Sequence, residues 1–208
     1  MASRTILITG GAGFVGSNVA LGLKRNYASR RVVVLDNLKR RGSELNLTRL
    51  KAGGVEFVHG DIRQPSDIEE VGGIDLLIEC SAEPSVLAGY DSSPRYVIDT
   101  NLGGTVNCLE LARKHGAGVI FLSSSRVYPI EMLNRLELVE NETRLELSPE
   151  QGVAGVSVRG ISEQCPLAGA RYMYGASKLC SELIFQEYMA MYDMPGVINR
   201  CGVLTGPW

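Results

Sequence analysis

The chain has 208 residues, of which 45% are hydrophobic and 21% are charged, with a formal net charge of −2. This composition is typical of a globular protein of one domain and excludes disordered, collagen-like and membrane-embedded chains. The nearly balanced charge gives no electrostatic reason to expect nucleic acid as a partner.

Features that would indicate a membrane, a secretory route or a metal are missing from the sequence. No stretch approaches the roughly 18 apolar residues of a membrane span, and the N-terminus lacks the apolar core of a signal peptide. The five cysteines form no C-x-x-C pair, which is typical of reduced thiols. His59 and His115 have no partner at metal-ligand spacing. We therefore expect a cytoplasmic protein with no metal, no membrane association and no nucleic-acid partner.

Short apolar runs alternate with amphipathic stretches along most of the chain. We predict strands near residues 5–8, 32–35, 55–58, 74–78, 119–122 and 197–200, and helices near residues 14–25, 43–51, 93–115 and 172–192. Continuous apolar strands that alternate with helices predict an α/β fold, a Rossmann-type doubly wound parallel sheet with helices on both faces. Such a sheet binds its ligand beyond the carboxyl ends of the strands, where the strand order reverses.

This alternation breaks between about residues 129 and 170, where charged residues, glycine and proline are scattered. Loops of this length are usually functional or disordered. We interpret the segment as an irregular excursion over the edge of the sheet, and a lid over the ligand is one role for it.

A glycine-rich turn directly follows the first predicted strand. The spacing Gly10-x-x-Gly13-x-x-Gly16 opens the first predicted helix. Glycine here allows a tight turn and lets the backbone approach a pyrophosphate closely. The helix N-terminus adds free N–H groups and a favourable dipole for phosphates. Strand, glycines and helix in this order predict a dinucleotide site.

Asp36 ends the second predicted strand, 20 residues after Gly16. An acid at this position binds the ribose hydroxyls of adenosine and repels a 2′-phosphate, which favours NAD over NADP. Arg40 and Arg41 could accept such a phosphate, so NADP stays open as the alternative cofactor. Capping of a turn is the alternative role for Asp36.

Tyr174 and Lys178 stand four residues apart in the last predicted helix. Residues at this spacing share one face of a helix. A neighbouring ammonium group favours the phenolate and lowers the pKa of a tyrosine. The pair is therefore a candidate acid/base, with an exposed surface pair as the alternative interpretation.

A run of serines, Ser123 to Ser125, ends the strand predicted at residues 119–122. Hydroxyls at the carboxyl edge of a parallel sheet point into the ligand crevice. A polar strand end that caps the next loop is an equally consistent reading. The absence of a G-x-S-x-G turn argues against a serine hydrolase.

Together these motifs resemble the extended short-chain dehydrogenase/reductase family, which contains the NAD-dependent nucleotide-sugar epimerases and dehydratases. The resemblance covers essentially the whole chain, with the motifs in the family's order. The matching motifs are Gly10-x-x-Gly13-x-x-Gly16, Asp36-Asn37-Leu38, Gly60-Asp61-Ile62, Asp91-x-x-Pro94-x-Tyr96-x-x-x-x-Asn101-x-x-Gly104-Thr105-x-Asn107, Ser123-Ser124-x-x-Val127-Tyr128, Tyr174-x-x-x-Lys178, and Arg200 with Gly206-Pro207.

The resemblance implies three catalytic residues. Ser124 would orient the substrate, Tyr174 would be the acid/base, and Lys178 would bind the nicotinamide ribose and lower the pKa of Tyr174. Asn101 matches a structural asparagine behind the site. The residues that the resemblance and the motifs assign to NAD binding are Gly10, Gly13, Phe14, Val15, Gly16, Asp36, Asn37, Asp61, Ile62, Cys80, Ser81, Ala82, Asn101, Tyr174 and Lys178.

The residues after the serine pair bear on the type of reaction. Sugar dehydratases carry an Asp-Glu pair there, whereas this chain has Ser125 and Arg126. Elimination of water lacks its carboxylates, so the resemblance favours an epimerase. Such an enzyme oxidises a nucleotide sugar transiently to a keto sugar and reduces it again on the other face.

The segment Asp36-Asn37-Leu38-Lys39-Arg40-Arg41-Gly42 and the basic Arg126 resemble the CDP-paratose (CDP-tyvelose) 2-epimerase subfamily most. UDP-hexose 4-epimerases and other nucleotide-sugar oxidoreductases are the alternatives, so the implied substrate is a CDP- or UDP-linked sugar. The family also implies a homodimer.

We assign residues 1–208 to one NAD-binding domain that carries the catalytic residues. The family's C-terminal substrate lobe is expected to be largely absent from it. A non-catalytic dinucleotide-binding module is the alternative of another class.

Overall fold

The computed structural model of the chain describes residues 4–206, so Pro207 of the last motif lies outside the described residues. The strands are β1 (Thr5–Thr9), β2 (Arg31–Asp36), β3 (Glu56–His59), β4 (Leu76–Glu79), β5 (Gly118–Ser124), β6 (Leu138–Glu140), β7 (Leu145–Leu147), β8 (Val156–Ser157), β9 (Gly160–Ile161) and β10 (Gly196–Cys201). The helices are α1 (Phe14–Asn26), α2 (Asn46–Ala52), α3 (Pro65–Glu69), α4 (Arg95–Ile98), α5 (Gly104–His115), α6 (Ile130–Leu133) and α7 (Met173–Tyr192).

Six strands form one sheet in the order β10-β5-β4-β1-β2-β3, and every pair in it is parallel. The chain builds outward from β1 to β3, then returns to β4 on the other side of β1. The strand order therefore reverses between β1 and β4, and a doubly wound sheet binds its ligand at this point. The predicted Rossmann-type fold is confirmed.

Alternate residues of β1 point to opposite faces of the sheet. Leu7 belongs to the same buried cluster as Leu109 of α5 and Phe185 of α7. Ile8 belongs to a second buried cluster with Ala20 of α1. Since helices cover both faces, the central strands β1, β2 and β4 are apolar on both sides, which explains their continuous apolar runs in the sequence.

The helix predicted at residues 93–115 is divided into α4 and α5 by a π-helical turn at Asp99–Gly103. Inside this turn the carbonyl oxygen of Asn101 accepts hydrogen bonds from the hydroxyls of Thr105, at 2.7 Å, and Ser181, at 2.8 Å. Side-chain hydroxyls that bond to helix carbonyls compete with the regular backbone ladder. Turns of the π type are frequent at functional sites.

The segment predicted as an irregular excursion contains the short helix α6 and two antiparallel hairpins, β6–β7 and β8–β9. Its side chains pack around a small buried cluster of Val127, Tyr128 and Cys165. The strands have two or three residues each and share no long apolar run, so sequence patterning alone does not predict them.

Within residues 4–206, no helix is long and apolar enough to cross a membrane. The same residues contain no group of three or more His, Cys, Asp or Glu side chains arranged to hold a metal ion.

Candidate active site

A cavity of about 460 Å³ lies at the carboxyl ends of β1, β2 and β4, where the strand order reverses. Its lining residues are Gly10, Gly13, Phe14, Val15, Gly16, Leu35, Asp36, Asn37, Lys39, Arg40, Ser43, Gly60, Asp61, Ile62, Cys80, Ser81, Ala82, Glu83, Pro84, Tyr96, Thr100 and Leu204. Every residue that the sequence assigned to NAD binding lines this cavity except Asn101, Tyr174 and Lys178.

The glycine turn forms one wall of the cavity. Gly10 has a φ of +63°, and a Cβ atom there would come within 2.8 Å of the carbonyl oxygen of Cys80. A Cβ atom on Gly16 would collide with the backbone of Gly10 and Gly11. A larger residue at Gly10 would push the turn away from the backbone after β4, and one at Gly16 would push α1 away from the turn, so the glycines hold the helix N-terminus at the cavity. The first N–H groups of a helix have no intrahelical partner, and here they are available to phosphate oxygens.

Asp36 both caps a turn and lines the cavity. Its Oδ1 accepts a hydrogen bond from the N–H of Leu38 at 2.8 Å, and its Oδ2 accepts one from Ala12 at 3.1 Å. Leu38 has a φ of +54°, which the bond to Asp36 stabilises. Each carboxylate oxygen has a second lone pair. The carboxylate is therefore fixed in place and keeps acceptor capacity for ribose hydroxyls.

Asp61 belongs to a polar cluster at the far end of the same cavity. Its carboxylate accepts hydrogen bonds from Asn37 at 2.9 Å and from the Arg63 guanidinium at 2.5 Å. The Arg63 bond holds the pKa of Asp61 well below its usual range. Tyr96 lies between two cations, with Lys39 Nζ 3.8 Å and Arg63 Cζ 4.9 Å from the ring centroid. This cluster joins the loops after β2 and β3 to α4.

Tyr174 stands in the first turn of α7, beside Ser124 at the end of β5. The two are brought together because Gly175 packs on the carbonyl of Arg126, where a Cβ atom would collide. Ser124 Oγ accepts a hydrogen bond from the N–H of Arg126 at 3.1 Å, which begins the turn Ser125–Val127. Ser124, Tyr174 and the guanidinium of Arg126 therefore lie close together.

Burial raises the pKa of Tyr174, while the Ser124 hydroxyl and the Arg126 guanidinium oppose this change. The expected net lowering of the Tyr174 pKa by Lys178 is not found. The removal of the phenol from water outweighs its favourable partners, and the cation that favours the phenolate is Arg126.

Lys178 is almost completely buried, with 2% of its surface exposed. Its Nζ lies 4.4 Å from the centroid of the Phe121 ring, a distance at which the aromatic face stabilises a cation. Burial lowers the pKa of Lys178, and the nearby Glu79 opposes this change. Lys178 also acts electrostatically on Cys80, whose backbone lines the dinucleotide cavity.

Asn101 lies behind the cavity wall, and none of its surface is exposed. Its Oδ1 accepts a hydrogen bond from the N–H of Glu83 at 2.7 Å, and its Nδ2 donates one to Ser177 Oγ at 3.1 Å. It therefore joins the loop after β4 to α7. This arrangement agrees with a structural role for Asn101 and differs from its assignment as a dinucleotide contact.

Several lining residues are not predicted from the sequence, and Thr100 is the most informative of them. Its side chain is 7% exposed, and its hydroxyl has no hydrogen-bond partner within residues 4–206. A buried hydroxyl in a cavity wall without a partner fits a site that awaits a polar ligand. Thr100 and Tyr96 both fall inside the motif that ends in Asn101, so their position in that motif was the available signal.

A second cavity, of about 660 Å³, lies between the end of β10 and the segment after β5. Its lining residues are Ser125, Arg126, Tyr128, Leu133, Ile161, Glu163, Ile198, Asn199, Arg200 and Cys201. Arg200 forms an ion pair of 2.7 Å with the buried Glu182, whereas Arg126 is exposed and forms no ion pair within the described part of the chain. The free guanidinium places a positive charge beside Tyr174.

The residues of the first cavity fit a dinucleotide with a 2′-hydroxyl. The glycine cradle leaves the helix N-terminus open for the pyrophosphate, and Asp36 offers an acceptor to ribose and repulsion to a 2′-phosphate. The unpartnered Thr100 hydroxyl adds a polar contact deeper in the cavity.

Comparison with known proteins also points to NAD as the dinucleotide. Residues 6–208 match the family described as the NAD dependent epimerase/dehydratase family. The chain is 30% identical to CDP-paratose 2-epimerase of Salmonella typhi over an alignment of 208 positions that covers 97% of this chain and 57% of that protein. It is 36% identical to a putative UDP-glucose 4-epimerase of Methanocaldococcus jannaschii over 203 residues, 97% of this chain and 56% of the relative.

Among solved structures, dTDP-glucose 4,6-dehydratase of Bacillus anthracis in complex with NAD matches with a TM-score of 0.68 and 25% identity. The match covers 96% of this chain and 55% of that one. The chain therefore spans a little over half the length of these relatives. NAD, the predicted cofactor, is confirmed as the cofactor of the family. By its fold, its glycine cradle and this match over nearly all of its length, the chain belongs to the NAD-dependent epimerase/dehydratase family.

Proposed function

We propose that this chain carries the cofactor-binding and catalytic part of an NAD-dependent nucleotide-sugar epimerase of the short-chain dehydrogenase/reductase type. The observation that carries the proposal is that Ser124 and Tyr174 lie side by side, next to Ser125 and Arg126 in the wall of the second cavity, with Lys178 buried one turn further along α7. A module that only binds a dinucleotide has no need of an acid/base of this kind.

In the proposed reaction, Tyr174 accepts the proton of a sugar hydroxyl, and Ser124 orients that hydroxyl by a hydrogen bond. NAD, when bound, supplies a hydride acceptor for the sugar carbon and later the hydride donor. Tyr174 can accept this proton only as the phenolate, so it must first release its own proton to solvent. Burial raises the pKa of Tyr174 and opposes this release, whereas the exposed Arg126 favours it. The resemblance to the family assigns the binding of ribose hydroxyls to Lys178, and we propose that role here.

The second cavity supports epimerisation over elimination of water. Ser125 and Arg126 lie in its wall, and Glu163 is the single carboxylate among its described lining residues. Elimination needs an acid and a base near the sugar, and a lone carboxylate does not supply both. We assign the sugar of the substrate to this cavity, beside Arg126.

We propose a CDP-linked sugar inverted at C2 as the first substrate to test, and a UDP-hexose inverted at C4 as the alternative. Support for the first comes from the CDP-paratose 2-epimerase relative and from the basic Arg126. Support for the second comes from the relative described as a putative UDP-glucose 4-epimerase, which has the higher identity.

We also propose a cytoplasmic homodimer. All five cysteines are free thiols, which is typical of a reducing compartment. The long helix α7 leaves Leu183, Ile184 and Met191 exposed, and apolar side chains repeated on one helix favour an interface. Sedimentation equilibrium tests the dimer, and a monomer at micromolar concentration would contradict it.

The test of the function is an assay with purified chain, NAD and each candidate sugar nucleotide, with products separated by chromatography. The proposal predicts an epimerised product with wild type and none with Tyr174→Phe, while both bind NAD. Equal turnover by the two proteins would contradict the role of Tyr174. NAD binding without turnover of any sugar would favour the alternative, a dinucleotide-binding module.

A further inference from the structure

Glu79 is a buried carboxyl group that the proposed reaction does not use. It is the last residue of β4, directly before Cys80 in the cavity wall, and none of its surface is exposed. Its Oε1 lies 2.6 Å from the hydroxyl of Thr105. Its Oε2 has no hydrogen-bond partner within residues 4–206.

The hydroxyl of Thr105 has two short oxygen neighbours. Besides Glu79, it lies 2.7 Å from the backbone carbonyl oxygen of Asn101. A hydroxyl has one hydrogen, and a carbonyl oxygen only accepts. If Glu79 were ionised, both neighbours would be acceptors, and one of the two short contacts would hold no hydrogen. If Glu79 is protonated, it donates to Thr105, and Thr105 donates to Asn101, so both contacts are hydrogen bonds.

The surroundings of Glu79 also favour the neutral acid. The titratable groups that act on it or are acted on by it are Lys178 from α7, Cys108 from α5 and the adjacent Cys80. Lys178 forms no ion pair with Glu79 within 4 Å among the described residues. Burial raises the pKa of Glu79, and Lys178 and the Thr105 hydroxyl oppose this change without reversing it. An unbonded oxygen costs much less on a neutral acid than on a buried carboxylate.

A chain of hydrogen bonds runs from Glu79 to the catalytic helix. Beyond Thr105, the Asn101 side chain donates to Ser177 Oγ at 3.1 Å, and the Ser177 hydroxyl donates to the backbone carbonyl of Tyr174 at 2.8 Å. The first bonds end on the backbone carbonyl of Asn101 and the later ones begin at its side-chain amide, so the two sets are joined through the covalent structure of Asn101. This chain of bonds therefore joins the end of β4 to the turn of α7 that carries Tyr174.

We propose that Glu79 is a positioning residue that acts as a neutral carboxylic acid, the first donor of this chain, and holds the π-helical turn and α7 in register with the cavity. The proposal rests on the roles of Tyr174 and Lys178 given above. It leaves Lys178 without a carboxylate counter-ion. The competing account is an ionised Glu79 that serves as the counter-ion of Lys178.

The variant Glu79→Gln separates the two accounts. A glutamine amide donates to Thr105 as a protonated acid does, with nearly the same shape, but it can never be an anion. We expect E79Q to keep its NAD affinity within about threefold of wild type, less than the tenfold that 1.4 kcal/mol would cause. We expect Glu79→Leu, which has no donor, to lose more than about tenfold. A tenfold loss in E79Q, or no loss in Glu79→Leu, would overturn the positioning role.

Infrared spectroscopy tests the protonation state directly on the wild-type protein. The difference spectrum of wild type minus E79Q at neutral pH should contain the carbonyl band of a protonated carboxylic acid. The spectrum of the Glu79→Leu protein itself should lack this band. Carboxylate bands in its place would overturn the proposal. This readout needs no turnover, so it stays decisive if the proposed epimerase activity fails. If E79Q does not fold, wild type minus Glu79→Leu gives the same comparison.

Discussion

Gly175 lies directly against the carbonyl oxygen of Arg126, with no room for a side chain between α7 and the turn after β5. This contact sets the distance between Tyr174, next to the glycine, and Ser124, next to the turn. This close packing explains why the residue after Tyr174 in the Tyr-x-x-x-Lys motif is glycine.

Gly175→Ala should therefore impair the site. The added methyl group must push α7 away from the turn, at a cost of about 1–3 kcal/mol in the free energy of unfolding. Chemical denaturation of the variant measures this cost. The matched control is Gly22→Ala inside α1, where a Cβ atom meets nothing within 4 Å. It should raise stability by about 0.5–1 kcal/mol, and equal effects of the two substitutions would contradict the account.

Asp36→Asn should weaken the preference for NAD. The amide keeps a similar shape but loses the charge that binds ribose hydroxyls and repels a 2′-phosphate. We expect NAD affinity to fall about tenfold, the cost of one lost charge-assisted hydrogen bond, and the ratio of NADP to NAD affinity to rise. Titration calorimetry with both cofactors measures the change.

Asp75→Asn is the matched control for Asp36→Asn. Asp75 also accepts a backbone N–H, from Thr5 at 2.7 Å, but at the opposite end of the sheet. This variant should leave the ratio of the two affinities unchanged. A ratio that is unchanged in Asp36→Asn as well would contradict the assignment of Asp36.

Arg126→Gln should move the titration of Tyr174 to higher pH. The Arg126 guanidinium lowers the pKa of Tyr174 against the effect of burial, so its removal leaves burial less opposed. Phenolate absorbance in a pH titration, with Tyr174→Phe subtracted, reports this residue alone. Lys51→Gln in α2, which packs on the other side of the molecule, is the control and should give the wild-type curve. The same curve from Arg126→Gln would mean that Arg126 does not act on Tyr174.

The ion pair of Asp61 and Arg63 should contribute to stability above the ordinary pKa of an aspartate. Because Arg63 holds the pKa of Asp61 far below that value, the folded state binds this proton less readily than the unfolded state. The contribution is present at neutral pH and is lost as the pH falls below about 4. Unfolding midpoints of wild type between neutral and acidic pH should therefore fall more steeply than those of Asp61→Asn, and parallel curves would contradict this.

The parts of the site that the sequence predicts are those determined by local physics. Gly10 and Gly16 must be glycine because backbone packs on them. The position of Asp36 in the cavity is predictable because one strand–helix–strand unit has a nearly fixed length, which places this residue at the end of β2. Thr100 and Tyr96 reach the cavity only because a π-helical turn and α4 bring them there, which no periodicity indicates. The raised pKa of Tyr174 depends on how deeply α7 packs, so the spacing of Tyr174 and Lys178 predicts the wrong direction.

We expect the cavity at the end of β1 to bind NAD in this chain. The most direct measurement is to purify the protein, denature it and identify any released dinucleotide by mass, with added cofactors tested on protein that releases none. The account predicts NAD, near one molecule per chain, or tight binding of added NAD over NADP. Recovery of NADP, or protein that binds neither dinucleotide, would contradict it.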